Sequence, residues 1–64
     1  MTAAQAADAQ LALMGLRASL VGLRIAARAL VRGGAPGIAA EIEVLLPRVN
    51  ELVGAVEAWE DHYP

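Results

Sequence analysis

Residues 10–32 constrain the fold more than any other stretch, because a helix drawn through them is apolar around almost its whole circumference. The only polar strip on that helix is narrow and consists of Gln10, Arg17, Arg24 and Arg28. A helix that is apolar on nearly all sides must be covered on nearly all sides. The stretch therefore predicts a helix that is buried in an assembly.

Two apolar stripes run side by side along this predicted helix. The first contains large aliphatic residues spaced three and four apart: Leu13, Leu16, Leu20, Leu23, Ala27 and Leu30. The second has the same spacing and only small side chains: Ala12, Gly15, Ser19, Gly22, Ala26 and Ala29. The remaining flank is filled by Met14, Val21 and Ile25. Small side chains let two helix backbones approach closely, so the second stripe predicts a tight contact between helices.

Capping residues set the limits of the first helix. Thr2 and Gln5 have the spacing of a capping box, which predicts that the helix begins at Ala3. Gly33 suits the position just after a helix C-terminus. The first helix is therefore predicted over residues 3–32.

The rest of the chain predicts one turn and one further helix. Residues 33–37 read Gly-Gly-Ala-Pro-Gly and form the only strong cluster of helix breakers, which predicts an antiparallel helix connection. A second helix is expected over residues 38–60, and the acidic tail over 61–64 should fray because a helix C-terminus disfavours negative charge. Residues 1–64 are thus predicted to be one all-α domain, an antiparallel helical hairpin.

The second helix has one predicted apolar face. It consists of residues at alternating spacings of four and three: Ile38, Ile42, Leu45, Val49, Leu52, Val56, Trp59 and Tyr63. Two more residues, Leu46 and Val53, widen this face on one side. Pro47 removes a helical hydrogen bond, so the pattern predicts either a kinked continuous helix, which we favour, or a break near Leu46.

Size and composition point to self-association as the source of stability. A core in a chain of 64 residues rarely supplies more than about 3–5 kcal/mol, and the absence of cysteine excludes disulfides. The second helix can cover a stripe only about 100° wide on the first. We therefore predict a homodimer that forms a four-helix bundle, or alternatively a small accessory subunit covered by another protein.

The predicted oligomer interface combines both stripes of the first helix: Leu13, Gly15, Leu16, Ser19, Leu20, Gly22, Leu23, Ala26 and Leu30. We favour the small-residue stripe meeting its copy while the leucines pack on the second helix; the opposite assignment stays open. Trp59 and Tyr63 are the candidate residues for contacting a further partner. The predicted function is a non-enzymatic oligomerisation and protein-interaction module.

Few residues are available for catalysis or for binding a cofactor. The chain has one histidine, no cysteine and no lysine, and Ser19 has no base at helical reach. The only candidate metal cluster is Glu57, Asp61 and His62, in which the histidine points about 100° away from the other two. No enzyme activity, cofactor or metal is therefore predicted.

Two alternative functions stay open. Arg17, Arg24 and Arg28 form a basic strip that a two-fold assembly would double, which is one way to bind phosphates. The small four-helix RNA-binding bundle of plasmid copy control uses a polar helix face in this way, and this chain resembles it in length and predicted architecture, with no motif residue in common. The second alternative is a helix at the membrane interface, since a basic strip on an apolar helix is typical of one.

Charge and hydropathy give the remaining expectations. Residues 1–35 carry four arginines against one aspartate, whereas residues 36–64 carry one arginine against six acidic residues. This asymmetry predicts ion pairs across the hairpin. The N-terminus lacks the basic start of a signal peptide, and no uncharged apolar run reaches about 18 residues, so a cytoplasmic protein without a conventional membrane span is expected.

Overall fold

The computed structural model describes residues 2–62, which form two helices joined by a short turn. Helix α1 spans Ala3–Arg32 and helix α2 spans Pro36–His62. The helices contact each other, and the pairing of Gln10 and Arg17 with residues near the end of α2 makes them antiparallel. The predicted all-α helical hairpin is confirmed. Helix α2 is two residues longer at each end than predicted.

Both ends of α1 are capped by the residues that the sequence offers for this purpose. At the start, Gln5 N donates to Thr2 Oγ1 at 3.1 Å and Thr2 N donates to Gln5 Oε1 at 2.8 Å, which confirms the capping box. At the end, Ala35 N donates to Leu30 O at 2.8 Å. This bond closes a Schellman motif.

The position after the C-terminus of α1 differs by one residue from the prediction. Gly33 has right-handed helical geometry and serves as the C-cap, while Gly34 adopts φ +89°. A side chain at that φ is strained, so the left-handed position belongs to Gly34 and not to Gly33. Pro36 then begins α2, where its missing N–H leaves no helical bond unmade.

Helix α2 is continuous through Pro47. The favoured prediction of one helix is therefore correct, and the alternative of a break near Leu46 is excluded. The proline ring still removes the backbone donor that would bond the carbonyl of Glu43, which leaves a weak point in the middle of α2.

The core between the helices is small. The leucine stripe of α1 faces α2, and the buried cluster consists of Leu13, Leu20 and Val53. Half-buried side chains surround this cluster: Leu16, Leu46, Val49 and Val56. The other buried residues are alanines: Ala9, Ala27 and Ala39. The core is thus one layer of aliphatic side chains between two rods.

The face that α2 turns toward α1 is rotated from the predicted face by about 50°, half of the angle between successive residues of a helix. Ile38, Leu45 and Leu52, which were predicted to be buried, are 54%, 51% and 38% exposed. The side chains at Leu46 and Val53, predicted as the edge, lie at the centre instead. The half-buried residues Ile42, Val49 and Val56 lie between the two stripes, with the predicted stripe on one side and the observed one on the other. Apolar spacing alone therefore does not show which of the two stripes is buried. The observed rotation brings the acidic flank of α2 beside the arginines of α1.

The hairpin is a long, thin body. Its Cα atoms extend over 48 × 15 × 10 Å and have a radius of gyration of 14.9 Å. A compact chain of this length has a radius of gyration of about 11 Å. Two broad faces, each formed by one flank of α1 and one flank of α2, are therefore open to the surroundings.

Candidate association surfaces

One broad face, here called the polar face, combines the arginine strip of α1 with the acidic flank of α2. Its members are Gln10, Arg17, Arg24, Glu43, Asn50 and Glu57. Arg17 Nη2 lies 3.7 Å from Glu57 Oε2, and Gln10 Nε2 donates to the Glu60 carboxylate, with 2.9 Å to Oε2. The predicted pairing of the basic half with the acidic half is thus seen at Arg17.

The pairing does not extend along the whole arginine strip. Within residues 2–62, Arg24 and Arg28 make no ion pair, although both line a groove of about 550 Å³ that Glu43 and Asn50 also line. All of these polar residues are exposed. The polar face therefore carries charges of both signs that remain hydrated in the hairpin.

The opposite broad face, here called the apolar face, carries large side chains on α2 and small ones on α1. The large side chains recur every seven residues and are exposed by 54%, 51%, 38% and 40% at Ile38, Leu45, Leu52 and Trp59, respectively. The small residues of α1 on this face are Ala12, Gly15, Ser19, Gly22, Ala26 and Ala29. Glu41 and Arg48 stand at its outer edge, where Arg48 pairs with Glu51 at 3.1 Å.

A second apolar surface lies on the outer side of α1, away from α2. It consists of Leu11, Met14, Val21 and Ile25, which are 67%, 65%, 54% and 60% exposed. This surface is one helix wide, whereas the apolar face is two helices wide. The hairpin thus covers only the leucine stripe of α1 and leaves its other apolar sides open.

The structure divides the predicted interface residues into two groups. The predicted leucines lie between α1 and α2, where they are buried or half-buried: Leu13, Leu16, Leu20, Leu23 and Leu30. The small residues Gly15, Ser19 and Gly22 are exposed, and Ala26 is half-buried. Ser19 Oγ donates to the carbonyl oxygen of Gly15 at 2.8 Å, so its hydroxyl is satisfied within α1.

The glycines of the small-residue stripe have open space above them. A Cβ atom built on Gly15 or Gly22 meets no atom within 4 Å. A glycine inside a helix costs about 1 kcal/mol relative to alanine. Nothing within the hairpin compensates this cost, since neither glycine is needed for the contact between α1 and α2.

Trp59, predicted to contact a partner, lies at the end of the apolar face in line with Leu52 and Leu45. Tyr63, the other predicted partner-facing residue, lies outside the described residues. Trp59 belongs to a stripe separate from the core, which differs from the predicted single apolar face of α2. The seven-residue spacing from Ile38 to Trp59 was visible, but only the rotation of α2 makes it an outer stripe.

The described part of the chain contains no arrangement of residues suited to metal binding. Among residues 2–62, no three histidine, cysteine or acidic residues are grouped closely enough to hold a metal ion. Glu57, the first member of the candidate cluster with Asp61 and His62, instead contacts Arg17.

Helix α1 meets the length and composition expected of a membrane-crossing helix. It has 30 residues and an apolar stretch of mean hydropathy 1.3, of which 17% is buried in the hairpin. This result depends on length and composition alone and allows up to two charged residues in the stretch, whereas the expectation from the sequence considered only uncharged runs. The absence of a conventional membrane span stays a prediction. The core helix of a soluble protein or a signal sequence has a similar length and hydropathy, so these properties alone do not identify a membrane span.

Comparison with known proteins identifies no relative: no family model matches the chain, and neither the curated proteins nor the solved structures contain a significant match.

Proposed function

We propose that this protein is a non-enzymatic association module, in which two hairpins form a four-helix bundle and each covers the apolar surface of the other. The observation that carries the proposal is the large apolar area that the isolated hairpin leaves exposed. Soluble monomers rarely expose a contiguous apolar surface of more than a few hundred Å².

The total exposed area gives this observation a magnitude. The hairpin exposes 4516 Å². A folded monomer of 6.6 kDa exposes about 3,900 Å² by the general relation between mass and surface. The excess of roughly 600 Å² is similar to the about 800 Å² that each partner buries in a standard protein interface. One further contact of ordinary size would therefore bring this protein to the surface area of a compact one.

The small core supports the same proposal energetically. Among residues 2–62, only three side chains larger than alanine are buried, namely Leu13, Leu20 and Val53. Full burial of such a side chain contributes about 1.5–3 kcal/mol, whereas ordering each residue of the chain costs about 1–2 kcal/mol of backbone entropy. A hairpin with this core needs additional burial to be stable, and association supplies it.

Absolute mass by light scattering, measured across a hundred-fold dilution series without detergent, tests the proposal. We expect a dimer whose helicity, followed by circular dichroism, falls as the dimer dissociates. A folded monomer at every concentration contradicts the proposal. Aggregation at every concentration instead indicates that the cover comes from a different protein, and it contradicts the homodimer.

Membrane association is a second candidate function, favoured by the length and hydropathy of α1. The arginines at Arg17 and Arg24 weigh against insertion, since one at the centre of a span costs about 2.5–3.5 kcal/mol. Sedimentation with vesicles of neutral and of anionic lipid, compared with the protein alone, tests this candidate. Recovery of the protein in the vesicle pellet supports it, and a supernatant that keeps its dimer mass excludes it.

A further inference from the structure

The surface through which two copies meet follows from the width and chemistry of the exposed surfaces. The outer side of α1 offers a contact one helix wide, whereas the apolar face is one of the two broad sides of the hairpin, whose Cα atoms extend over 48 by 15 Å. Its Cα outline is thus roughly 700 Å², close to the about 800 Å² per partner of a stable interface. The apolar face is therefore large enough for a dimer by itself.

The polar face is less suited to meet a second copy. Arg17 and Glu57 are paired across it, and Arg24 and Arg28 would lose water if a second hairpin covered them. Burying a charge without a partner costs several kcal/mol. On the apolar face the charges of Glu41 and Arg48 stand at the edge, where they remain in water after two copies meet.

Side-chain sizes on the apolar face are complementary between its two halves. The half on α2 projects large side chains every seven residues, and the half on α1 is a shallow track of alanine, glycine and serine. The contacts of Gln10 with Glu60 and of Arg17 with Glu57 fix the antiparallel register. In this register, Leu52 of α2 lies at about the same height along the helix axes as Ser19 of α1, and Leu45 lies at about the same height as Ala26.

We propose that two hairpins join through their apolar faces about a two-fold axis parallel to the helices, so that α1 of each copy packs on α2 of the other. This pairing rests on the association proposed above and specifies its geometry. Large side chains of one copy then enter the small-residue track of the other at the same level. Every helix has antiparallel neighbours, as in an up-down-up-down bundle.

The alternative two-fold axis, perpendicular to the helices, places α1 on α1 and α2 on α2. This is the contact of the small-residue stripe with its own copy that the sequence by itself favours, and the proposed pairing replaces it. The perpendicular axis sets Leu45 and Leu52 of both copies against each other and leaves the two small-residue tracks facing one another. Interiors pack at nearly crystalline density without voids, so a large-on-large and small-on-small contact is the poorer fit. The open space above Gly15 and Gly22 is filled in the first arrangement by side chains from α2 of the second copy.

Engineered disulfides distinguish the arrangements, because the natural chain has no cysteine. Neighbouring helices in a bundle lie about 8–10 Å apart, which brings facing Cα atoms within the about 4.4–6.8 Å that a disulfide spans. Helices on the diagonal, roughly 11–14 Å apart, are out of reach. Ser19→Cys and Leu52→Cys are made in separate chains of different mass, so that a bond within one hairpin cannot form.

The molar mass of each single variant is first measured by light scattering to establish its oligomeric state. The two variants are then mixed, allowed to exchange subunits and oxidised mildly. We expect the mixed disulfide between Ser19→Cys and Leu52→Cys chains to exceed either like-with-like disulfide by about ten-fold. Val44→Cys, a residue 75% exposed on the outer side of α2, is the matched control for random collision. It should give only background disulfide.

Each other outcome overturns the geometry or the association separately. A dimer in which Ser19→Cys bonds to itself supports the perpendicular axis and contradicts the proposed pairing. A further variant, Ile25→Cys, reports on the outer side of α1, where Ile25 is 60% exposed. If only this variant forms a disulfide with its own copy, the dimer interface lies on that side. If none of the variants forms a disulfide, the interface lies elsewhere. Both results contradict the pairing and leave association intact. A monomer by light scattering contradicts association itself.

Discussion

The two broad faces of the hairpin are built from the same two helices, yet they differ in which side chains they expose. The polar face carries both signs of charge and pairs Arg17 with Glu57, so it is satisfied in water. The apolar face exposes Ile38, Leu45, Leu52 and Trp59 beside a track of small residues. The contrast shows that the hairpin is itself amphipathic, as a single helix often is, but at the scale of a two-helix surface.

The largest effect on dimerisation is expected when charges are placed on the apolar face. Leu45→Glu combined with Leu52→Glu puts four carboxylates into the proposed dimer interface. Each lost leucine contact removes about 1.5–3 kcal/mol, so we expect the dimer dissociation constant to rise by at least ~10³-fold. Sedimentation equilibrium measures this change.

A matched pair on the outer side of α2 controls for added charge. Val44→Glu combined with Ala58→Glu introduces the same two carboxylates at exposed positions outside both broad faces. This variant should keep the dimer mass of the parent. An equal loss of association in the two variants contradicts the distinction between the faces.

A change at Pro47, which lines the same groove as Arg24 and Glu43, should alter stability without altering association. Pro47→Ala restores the backbone donor to Glu43 in the middle of α2. We expect the free energy of unfolding to rise by about 2 kcal/mol, since proline inside a helix costs about 3 kcal/mol relative to alanine and part of this is offset in the unfolded chain. Urea denaturation measures the gain, and the dimer mass should not change.

The control for this variant is the other proline of α2. Pro36→Ala alters the first residue of the helix, where proline causes no loss of a helical bond. Its effect on the free energy of unfolding should be close to zero. If both substitutions stabilise the protein equally, the mid-helix position of Pro47 is not the cause.

A smaller test compares glycines on the two faces. Gly54 lies on the polar side of α2 and, like Gly15, has open space above it in the hairpin. Gly54→Ala should stabilise the protein by about 1 kcal/mol without changing dimerisation. Gly15→Ala should weaken the dimer, because a methyl group enters the track that receives the second copy, and Gly15→Leu should disrupt it.

The dimer dissociation constants of the alanine variants decide this test. Equal constants for Gly15→Ala and Gly54→Ala mean that no close approach occurs at Gly15. Gly22→Ala repeats the measurement two turns further along the same track, beyond Ser19. A similar loss at both glycines indicates a property of the whole face and not a local effect at one position.

The smallest effect is expected from the arginines of the polar face. Arg17 and Glu57 form an exposed ion pair at 3.7 Å, and Arg17→Ala should change stability by less than about 1 kcal/mol. Arg17→Ala combined with Arg24→Ala should leave dimerisation unchanged. Fluorescence anisotropy with duplex RNA at low and high salt should detect no binding by the parent. Salt-dependent binding that this double variant loses supports the nucleic-acid alternative instead.

Much of the fold was predictable because short sequence motifs specify where the helices begin and end. The capping box at Thr2 and Gln5 and the turn that begins at Gly33 set the helix ends to within two residues. These features depend on neighbours in the chain, so they need no knowledge of packing. The prediction was off by one residue at Gly34, since either glycine fits the left-handed position and only the closing bond from Ala35 to Leu30 selects one.

The candidate surface was only partly predictable. The apolar spacing of α2 has two stripes on either side of Ile42, Val49 and Val56, and the sequence favoured the wrong one as the centre. The outer stripe was therefore assigned to the core, and the apolar face was missed. The clue that distinguishes them is electrostatic: only one rotation places Glu57 beside Arg17.

By itself, the sequence determined that this chain forms two helices and that α1 has more apolar surface than α2 can cover. Hydrophobic periodicity and capping are properties of a single segment, which is why they can be read along the chain. The tertiary structure decided how far α2 is rotated about its own axis. A rotation of only about 50°, half of the angle between successive residues of a helix, changes which stripe is buried and which is exposed. That choice depends on side chains of both helices at once, and it determines which face of the hairpin is free to associate.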